Sequence, residues 1–432
     1  MSRYLMVMWS GGGCVPPQLA LAKRLLRAGH EVSILAPRSL TETVRASGAI
    51  FEPYRRAPEH DAADPGQDLL RDWEVRGLEA RKRMRDNVVY GLAAGICDDV
   101  LGLVEENRPD AIVTDYLLVG SYIAAEKAGL PLAALMHTIF TLPRPGLPPF
   151  GPGWKVAQGR TGRLRDAVLK KYQMRFVNAR IDDLNALRHS HSLAPVESLS
   201  QLVLSADRLL LLTSPAFDYP GPIPANARWV GVVTDPDDPP PPPRPLAGDG
   251  PPNQQKEVLV SFSTTFQRQA AIVERVIEAL AELPVQAVVT CGPAITPSQL
   301  PAVPNVRIVA AAPHRELLPT TDLVITHGGH GTVSAALRHG VPVLVIPMGR
   351  DQGEIAARVV WHGAGISTPV RTSSDRLRSV IRMALSEPSL RVAARQLAAR
   401  MAAEDPDIAV RELEGIATSA RSTVTGAAEV HD

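Results

Sequence analysis

The chain has 432 residues, 45% of them hydrophobic, with 46 Lys and Arg against 45 Asp and Glu, for a formal net charge of +1. That length fills two domains with separate cores, and so even a charge balance argues against a nucleic-acid or acidic-surface binder. Three cysteines, Cys14, Cys97 and Cys291, are odd in number and far apart in sequence. They argue against a disulfide framework and for a reduced, cytoplasmic protein.

In chain order, residues 4–9 read as a strand, 10–17 as a turn, 18–28 as a helix closed by Gly29, and 32–36 as a second strand. One Arg precedes the first apolar run and three glycines follow it, the pattern of a first strand and not of a signal peptide. The turn lacks a full G-x-G-x-x-G and no acid follows the second strand in 34–38, which argues against a nicotinamide cofactor. Residues 54–85 are charged and irregular, with a helix expected from near Leu69; their charges read as a solvated face.

The run 111–115 reads as a buried strand ending in Asp115. A helix over 120–128 then leads through Gly129 and Pro131 to a strand over 132–136 that ends at His137. Ligands of an open parallel sheet sit beyond the carboxyl ends of its strands, so Cys14, Asp115 and His137 should meet at one sheet edge. Each has a structural reading as well: a small helix-start residue, a helix cap and a packed pocket wall. The most apolar window, 117–136, is broken by Glu126 and Lys127, so no bilayer span is expected, and peripheral membrane contact is left open.

Residues 141–154 are dense in Pro, Gly and aromatic residues and read as a loop. A long helix over 164–188 and a strand over 208–213 follow, and 219–233 leads out of the domain. Five prolines from Pro239 make 235–253 a stiff extended linker. The Asp-x-Asp at Asp235 and Asp237 lies in that linker, a poor place for a metal motif.

The second half opens with a strand over 257–262 and the hydroxyl turn Ser263-Thr264-Thr265, then a helix over 269–283 and strands over 285–290 and 306–309. The most informative stretch is 322–358. A short β-branched strand, 323–325, stops at His327-Gly328-Gly329-His330-Gly331-Thr332. A helix over 333–339 follows, closed by Gly340; a strand over 343–346 ends at Pro347, and Asp351-Gln352 lie in the loop beyond it. A glycine turn feeding a helix N-terminus aims N–H groups and the positive end of the helix dipole at an anion, here most simply phosphate. Hydroxyl-binding side chains at Asp351 and Gln352 beside it describe a nucleotide sugar. His327-x-x-His330 lacks neighbouring ligands at metal spacing. Helices over 373–403 and 407–416 finish the domain, and 418–432 reads as frayed.

His327, Gly329, Gly331, Thr332, Gly340, Pro342, Pro347, Asp351 and Gln352 match, at the right spacing, a pattern of H-x-G-x-G-T, helix, G-x-P, strand, Pro and D-Q. In this the chain resembles the GT-B glycosyltransferases of family 1, and among them the bacterial macrolide and natural-product branch. The resemblance implies an α/β fold of two Rossmann-like doubly wound domains facing a cleft. An acceptor domain would span 1–234, the linker 235–254 and a nucleotide-sugar domain 255–405, with a helix crossing back and a frayed tail in 406–432. It implies that His327, Gly329, Gly331 and Thr332 hold the donor diphosphate together with Ser263 and Thr264, and that Asp351 and Gln352 bind sugar hydroxyls. His314 stands for the usual glutamine near the base, and Ala311 for the usual stacking aromatic, so base recognition should differ. Ala335 stands where some members carry a glutamate for the ribose, which favours a dTDP-sugar over a UDP-sugar.

By the same resemblance the reaction is an inverting transfer to a small apolar acceptor, with no metal and no cofactor beyond the donor substrate; a homodimer is left open. One departure concerns the base. The family's Gly-His-x-x-Pro is here Gly13-Cys14-Val15-Pro16, with Cys14 in place of the catalytic histidine and its orienting aspartate retained as Asp115. A Cys14 thiolate, with its pKa of about 8.5 lowered by the helix N-terminus, would serve as base. So would Asp115 directly, or His137 from the neighbouring strand. Alternatively the acceptor, a phenol, enol, amine or aromatic carbon, needs little help. The rivals are a sugar-nucleotide binder without activity, or an auxiliary partner of another transferase, and an epimerase, against which the loop 141–154 argues.

Overall fold

The computed structural model describes residues 1–242, 255–263 and 265–428. Its first half is a seven-stranded sheet, every pairing parallel, of β1 (Arg3–Val7), β2 (Glu31–Ala36), β3 (Ile50–Pro53), β4 (Ala111–Asp115), β5 (Leu132–Met136), β6 (Arg208–Leu211) and β7 (Ala227–Trp229), in the order β3-β2-β1-β4-β5-β6-β7. The second half repeats the plan in a six-stranded parallel sheet of β8 (Lys256–Ser261), β9 (Val285–Thr290), β10 (Val306–Val309), β11 (Leu323–Thr326), β12 (Val343–Val345) and β13 (Gly365–Ser367), ordered β10-β9-β8-β11-β12-β13. The central strands are mostly apolar because helices cover both faces; every residue of β4 and β5 is buried. In each sheet the winding reverses beside the first strand, between β1 and β4 and between β8 and β11. A crevice opens at such a point because the flanking connections leave to opposite faces.

The C-terminal helix, Ile408–Ala428, runs beyond the expected 407–416 into a stretch read as frayed, and packs Ala409, Val410, Leu413, Ile416 and Ala417 into the core of the first half. One helical stretch among the described residues, Leu78–Asn107, is long and apolar enough to cross a bilayer. Val88, Leu92, Ile96 and Val100 instead turn its apolar side into that same core.

Among the elements that differ from the sequence expectation, three helices do so for clear local reasons. The helix expected from Leu69 starts at Leu78, after Gly77 with φ +58, because a short 3-10 turn at Asp72–Glu74 occupies the preceding segment. The single helix over 164–188 is two, Arg160–Val177 and Ile181–Ser190, with the Asn178 side chain between them accepting from the Leu199 N–H. The helix over 373–403 also divides, into Ser374–Ser386 and Pro388–Ala402, where Pro388 has no N–H to continue the ladder and Glu387 caps the new start. The strands missed from sequence, β3, β7 and β13, lie at sheet edges, and their partly exposed residues carry no continuous apolar run.

Candidate active site

At the first crevice, β4 delivers Asp115 fully buried at its carboxyl end. Its Oδ2 accepts from Trp9 Nε1 at 3.3 Å and from Gln18 Nε2 at 3.1 Å, and its Oδ1 from the Leu117 N–H at 3.0 Å. The next strand ends at His137, whose Nδ1 lies 3.0 Å from Asp115 Oδ2. The N–H direction there is off the line of a good hydrogen bond, so charge carries most of that contact. Burial opposes protonation of His137, but the carboxylates of Asp115 and Asp351 outweigh it and the pKa is raised above 6.5.

Cys14 sits just before the helix Val15–Arg27, buried, its Sγ 3.8 Å from the Trp9 carbonyl. Burial first, and then the Asp115 charge, push its thiol well above the ordinary value. This corrects the expectation of a thiolate. The helix N-terminus does not offset removal from water beside a carboxylate, and Cys14 stands in the site as a neutral thiol.

At the second crevice, β11 leads into His327, and Gly328, at φ +98, turns the chain into the helix His330–Arg338. The helix begins three residues earlier than expected. Gly329 is its cap, and Gly331 and Thr332 lie in its first turn, where N–H groups have no partner within the helix. The His327 ring lies over Gly329, where a Cβ would meet Nε2 at 2.8 Å. It also stacks on Phe262 with centroids 6.2 Å apart. Burial lowers its pKa to about 4, with Asp351 pulling the other way, so it is neutral at neutral pH. Ser263 is buried with its Oγ 2.9 Å from Thr265 Oγ1, while Thr264 lies outside the described residues. His314 opens the short helix His314–Leu317 on the same wall, and burial lowers its pKa.

Asp351 and Gln352 open the helix Gln352–Trp361. Gln352 is buried, and its Oε1 accepts from the Met348 and Gly349 N–H groups while its Nε2 donates to Gln267 Oε1 at 3.1 Å. It therefore shapes the loop that presents Asp351. Asp351 reaches across to the first half, its Oδ2 accepting from Thr138 Oγ1 at 2.6 Å. The two crevices thus face one cleft of about 2520 Å³, lined by Cys14 and His137 on one side and by His327, Gly329, Gly331 and Asp351 on the other. Trp73, Leu78, Met84, Phe150, Trp154 and Tyr172 give it apolar walls. A pocket for one small-molecule ligand measures about 300–1,000 Å³, so this cleft has room for two substrates.

The loop 141–154 is clipped to the far side of this cleft. Glu354 Oε1 accepts from the Gly151 and Gly153 N–H groups at 2.7 and 2.8 Å, and Glu354 Oε2 pairs with Arg358 Nη1 at 3.1 Å. Arg358 Nε in turn reaches Asp218 at 2.6 Å, and Asp218 takes Arg144 from the loop at 3.3 Å. Gly153 is at φ +65 and so close to the helix that a Cβ would meet the Gly353 carbonyl oxygen at 2.3 Å. Glu354 and Arg358 are both 3% exposed. Glu354→Ala is accordingly expected to cost about 3–5 kcal/mol, because it leaves Arg358 buried with half its partners. The denaturant midpoint measures this, and a loss below about 1 kcal/mol, the range of surface pairs, would contradict it.

With this geometry in hand, known proteins give the family. Residues 274–415 match the family described as "Erythromycin biosynthesis protein CIII-like, C-terminal domain". The whole chain is 31% identical over 425 residues to 4'-demethylrebeccamycin synthase of Lentzea aerocolonigenes, an alignment covering 96% of this chain and 99% of that one. The chain is a GT-B natural-product glycosyltransferase of family 1. Its fold matches the calicheamicin glycosyltransferase CalG4 at TM-score 0.72 with 19% identity, covering 96% of this chain and 98% of that one. It also matches the glycosyltransferase VinC, solved in complex with dTDP, at TM-score 0.68 with 23% identity, covering 96% and 100%.

Sequence reading missed several groups that shape this glycosyltransferase's cleft. His330 places Nε2 2.8 Å from Thr213 Oγ1, joining the two halves at the cleft floor, and burial lowers its pKa to about 4. Arg350, at φ +53, donates from Nε and Nη2 to the two Asp72 oxygens at 2.8 and 3.2 Å and from Nη1 to Thr265 Oγ1 at 3.0 Å. The i, i+4 spacing of Glu354 and Arg358 was a signal for their pairing. Nothing in the sequence announces Thr138, Asp72 or Asp218, whose partners are far away along the chain.

Proposed function

We propose that this glycosyltransferase moves a sugar, with inversion and without a metal, from a dTDP-sugar or UDP-sugar to a small, flat, apolar natural-product acceptor, with Asp115 and His137 as its base. The observation that carries this reading is the Asp115–His137 pair at the ends of neighbouring strands, facing the His327 turn across the cleft. His137 Nε2, to which no described residue is hydrogen-bonded, takes the proton from the acceptor nucleophile, while Nδ1–H faces Asp115 and the carboxylate balances the imidazolium that forms. The nucleophile attacks the anomeric carbon from the side away from the diphosphate, which inverts that carbon. His327, the N–H groups of Gly329, Gly331 and Thr332 and the helix dipole oppose the charge growing on the leaving group, with Ser263 beside them. Asp351 holds sugar hydroxyls with the support of Gln352. His314 stands near the nucleoside.

Ala335 lines the same wall, and with VinC holding dTDP it favours a deoxyribonucleoside donor. The relation to 4'-demethylrebeccamycin synthase and the aromatic walls support the acceptor class. The test is nucleoside diphosphate release from dTDP-sugars and UDP-sugars with flat aromatic, phenolic and macrolide acceptors, in the presence of a chelator. The anomeric configuration of each product is read by NMR. Retention of configuration, or activity that the chelator abolishes, would overturn the mechanism.

The pH profile gives an independent check. His137 is a base only when neutral, and its pKa is raised. Activity is therefore expected to climb with pH along an acid limb whose midpoint lies above 6.5, and to lose that limb in His137→Gln. A midpoint in the ordinary carboxylate range would move the base to Asp115 itself.

A further inference from the structure

We infer that Cys14, Asp115 and His137 form a binding site for one divalent cation of the zinc type. The Cys14 Sγ, an Asp115 carboxylate oxygen and a His137 ring nitrogen all lie within 4.8 Å of one another. Sulfur, carboxylate and imidazole are the three donor types that zinc takes, at about 2.0–2.3 Å each, which places the ligand atoms about 3.5 Å apart. The Cys14 side chain can close that gap, since its Sγ is held by nothing firmer than the 3.8 Å contact to Trp9. Among the described residues no other group of three such donors meets this closely.

Three further observations point the same way. Buried His137 Nδ1 has no aligned hydrogen-bond partner in the described structure, and it faces the other two donors. Asp115 is held in place by Trp9 Nε1 and Gln18 Nε2, the kind of outer support that orients a metal-binding carboxylate. Cys14 and His137 also line the cleft, so the fourth position of a tetrahedral ion opens toward it, for a water or an acceptor heteroatom. On binding, the Cys14 thiol proton leaves to solvent and a sulfur–metal bond forms. The thiolate and carboxylate then neutralise the dication, and His137 ligates through Nδ1 as the neutral ring, its single remaining proton on Nε2 and any second proton released to solvent. A histidine at position 14 would have left two charges of the ion facing a single carboxylate. If Asp115 and His137 are the base proposed above, the ion occupies it, so transfer stops while the donor still binds.

Titration of the full chain with cobalt(II) tests the site without relying on activity. One equivalent is expected to produce a thiolate-to-metal absorption band. The band should vanish in Cys14→Ser and persist in Cys97→Ser. Zinc affinity, from competition with a chelating dye, is expected to fall at least about 100-fold in Cys14→Ser, the upper end of what loss of a mere supporting partner costs. His137→Gln provides a second variant that should weaken zinc binding too. No band, or a band that survives Cys14→Ser, overturns the site. A band accompanied by zinc-insensitive transfer upholds it and removes the base from Asp115 and His137.

Discussion

An Asp115→Asn variant is expected to lose about 10⁴-fold in kcat, the effect of replacing the aspartate behind a catalytic histidine, while keeping its donor affinity. Asp115 is fully buried, receives Trp9 and Gln18, and faces His137 Nδ1 at 3.0 Å. An amide there is uncharged and cannot balance an imidazolium. Its N–H also presses His137 toward the tautomer with Nε2 protonated, which cannot accept from the acceptor. The comparison needs kcat from diphosphate release and donor affinity from calorimetry. His137→Gln should fall comparably, and the double variant should fall no further, since groups acting as one unit are not additive. A loss under tenfold in Asp115→Asn would mean that the acceptor needs no base.

His327→Ala is expected to lower kcat/KM by about 10²–10³-fold, as for removal of one donor from an anion-stabilising site. Burial holds the ring's pKa near about 4, so it works as a neutral hydrogen-bond donor and not as a cation. The loss should therefore be constant across neutral pH, and His327→Asn, which retains an N–H, should recover part of it. Undiminished turnover in the alanine variant would displace the diphosphate from this turn.

The doubly wound plan was legible because parallel strands covered on both faces must be continuous apolar runs, and 111–115, 132–136 and 323–325 are such runs. The glycine turn was legible for a similar reason: the His327 ring lies where a Cβ at 329 would press on it. Local chemistry of this kind writes itself into consecutive residues. The state of Cys14 was not legible, because its protonation depends on how deeply the fold buries it and on a carboxylate 101 positions away. The Thr138–Asp351 and Arg350–Asp72 bridges were hidden likewise, being created by the meeting of two halves whose sequences carry no mark of it.

The Glu354 clip bears on how such enzymes can be recombined. The proline-rich segment looks like the natural seam for joining the first half of one relative to the second half of another. Yet residues 141–154 belong to the first half by chain and are bonded to both halves, since Arg144 joins Asp218 while Gly151 and Gly153 end on Glu354 and Gly153 rests on Gly353. A hybrid cut at the linker keeps this loop in place where the new second half supplies a carboxylate at 354. Where it does not, the loop is inherited without its fastening to the second half.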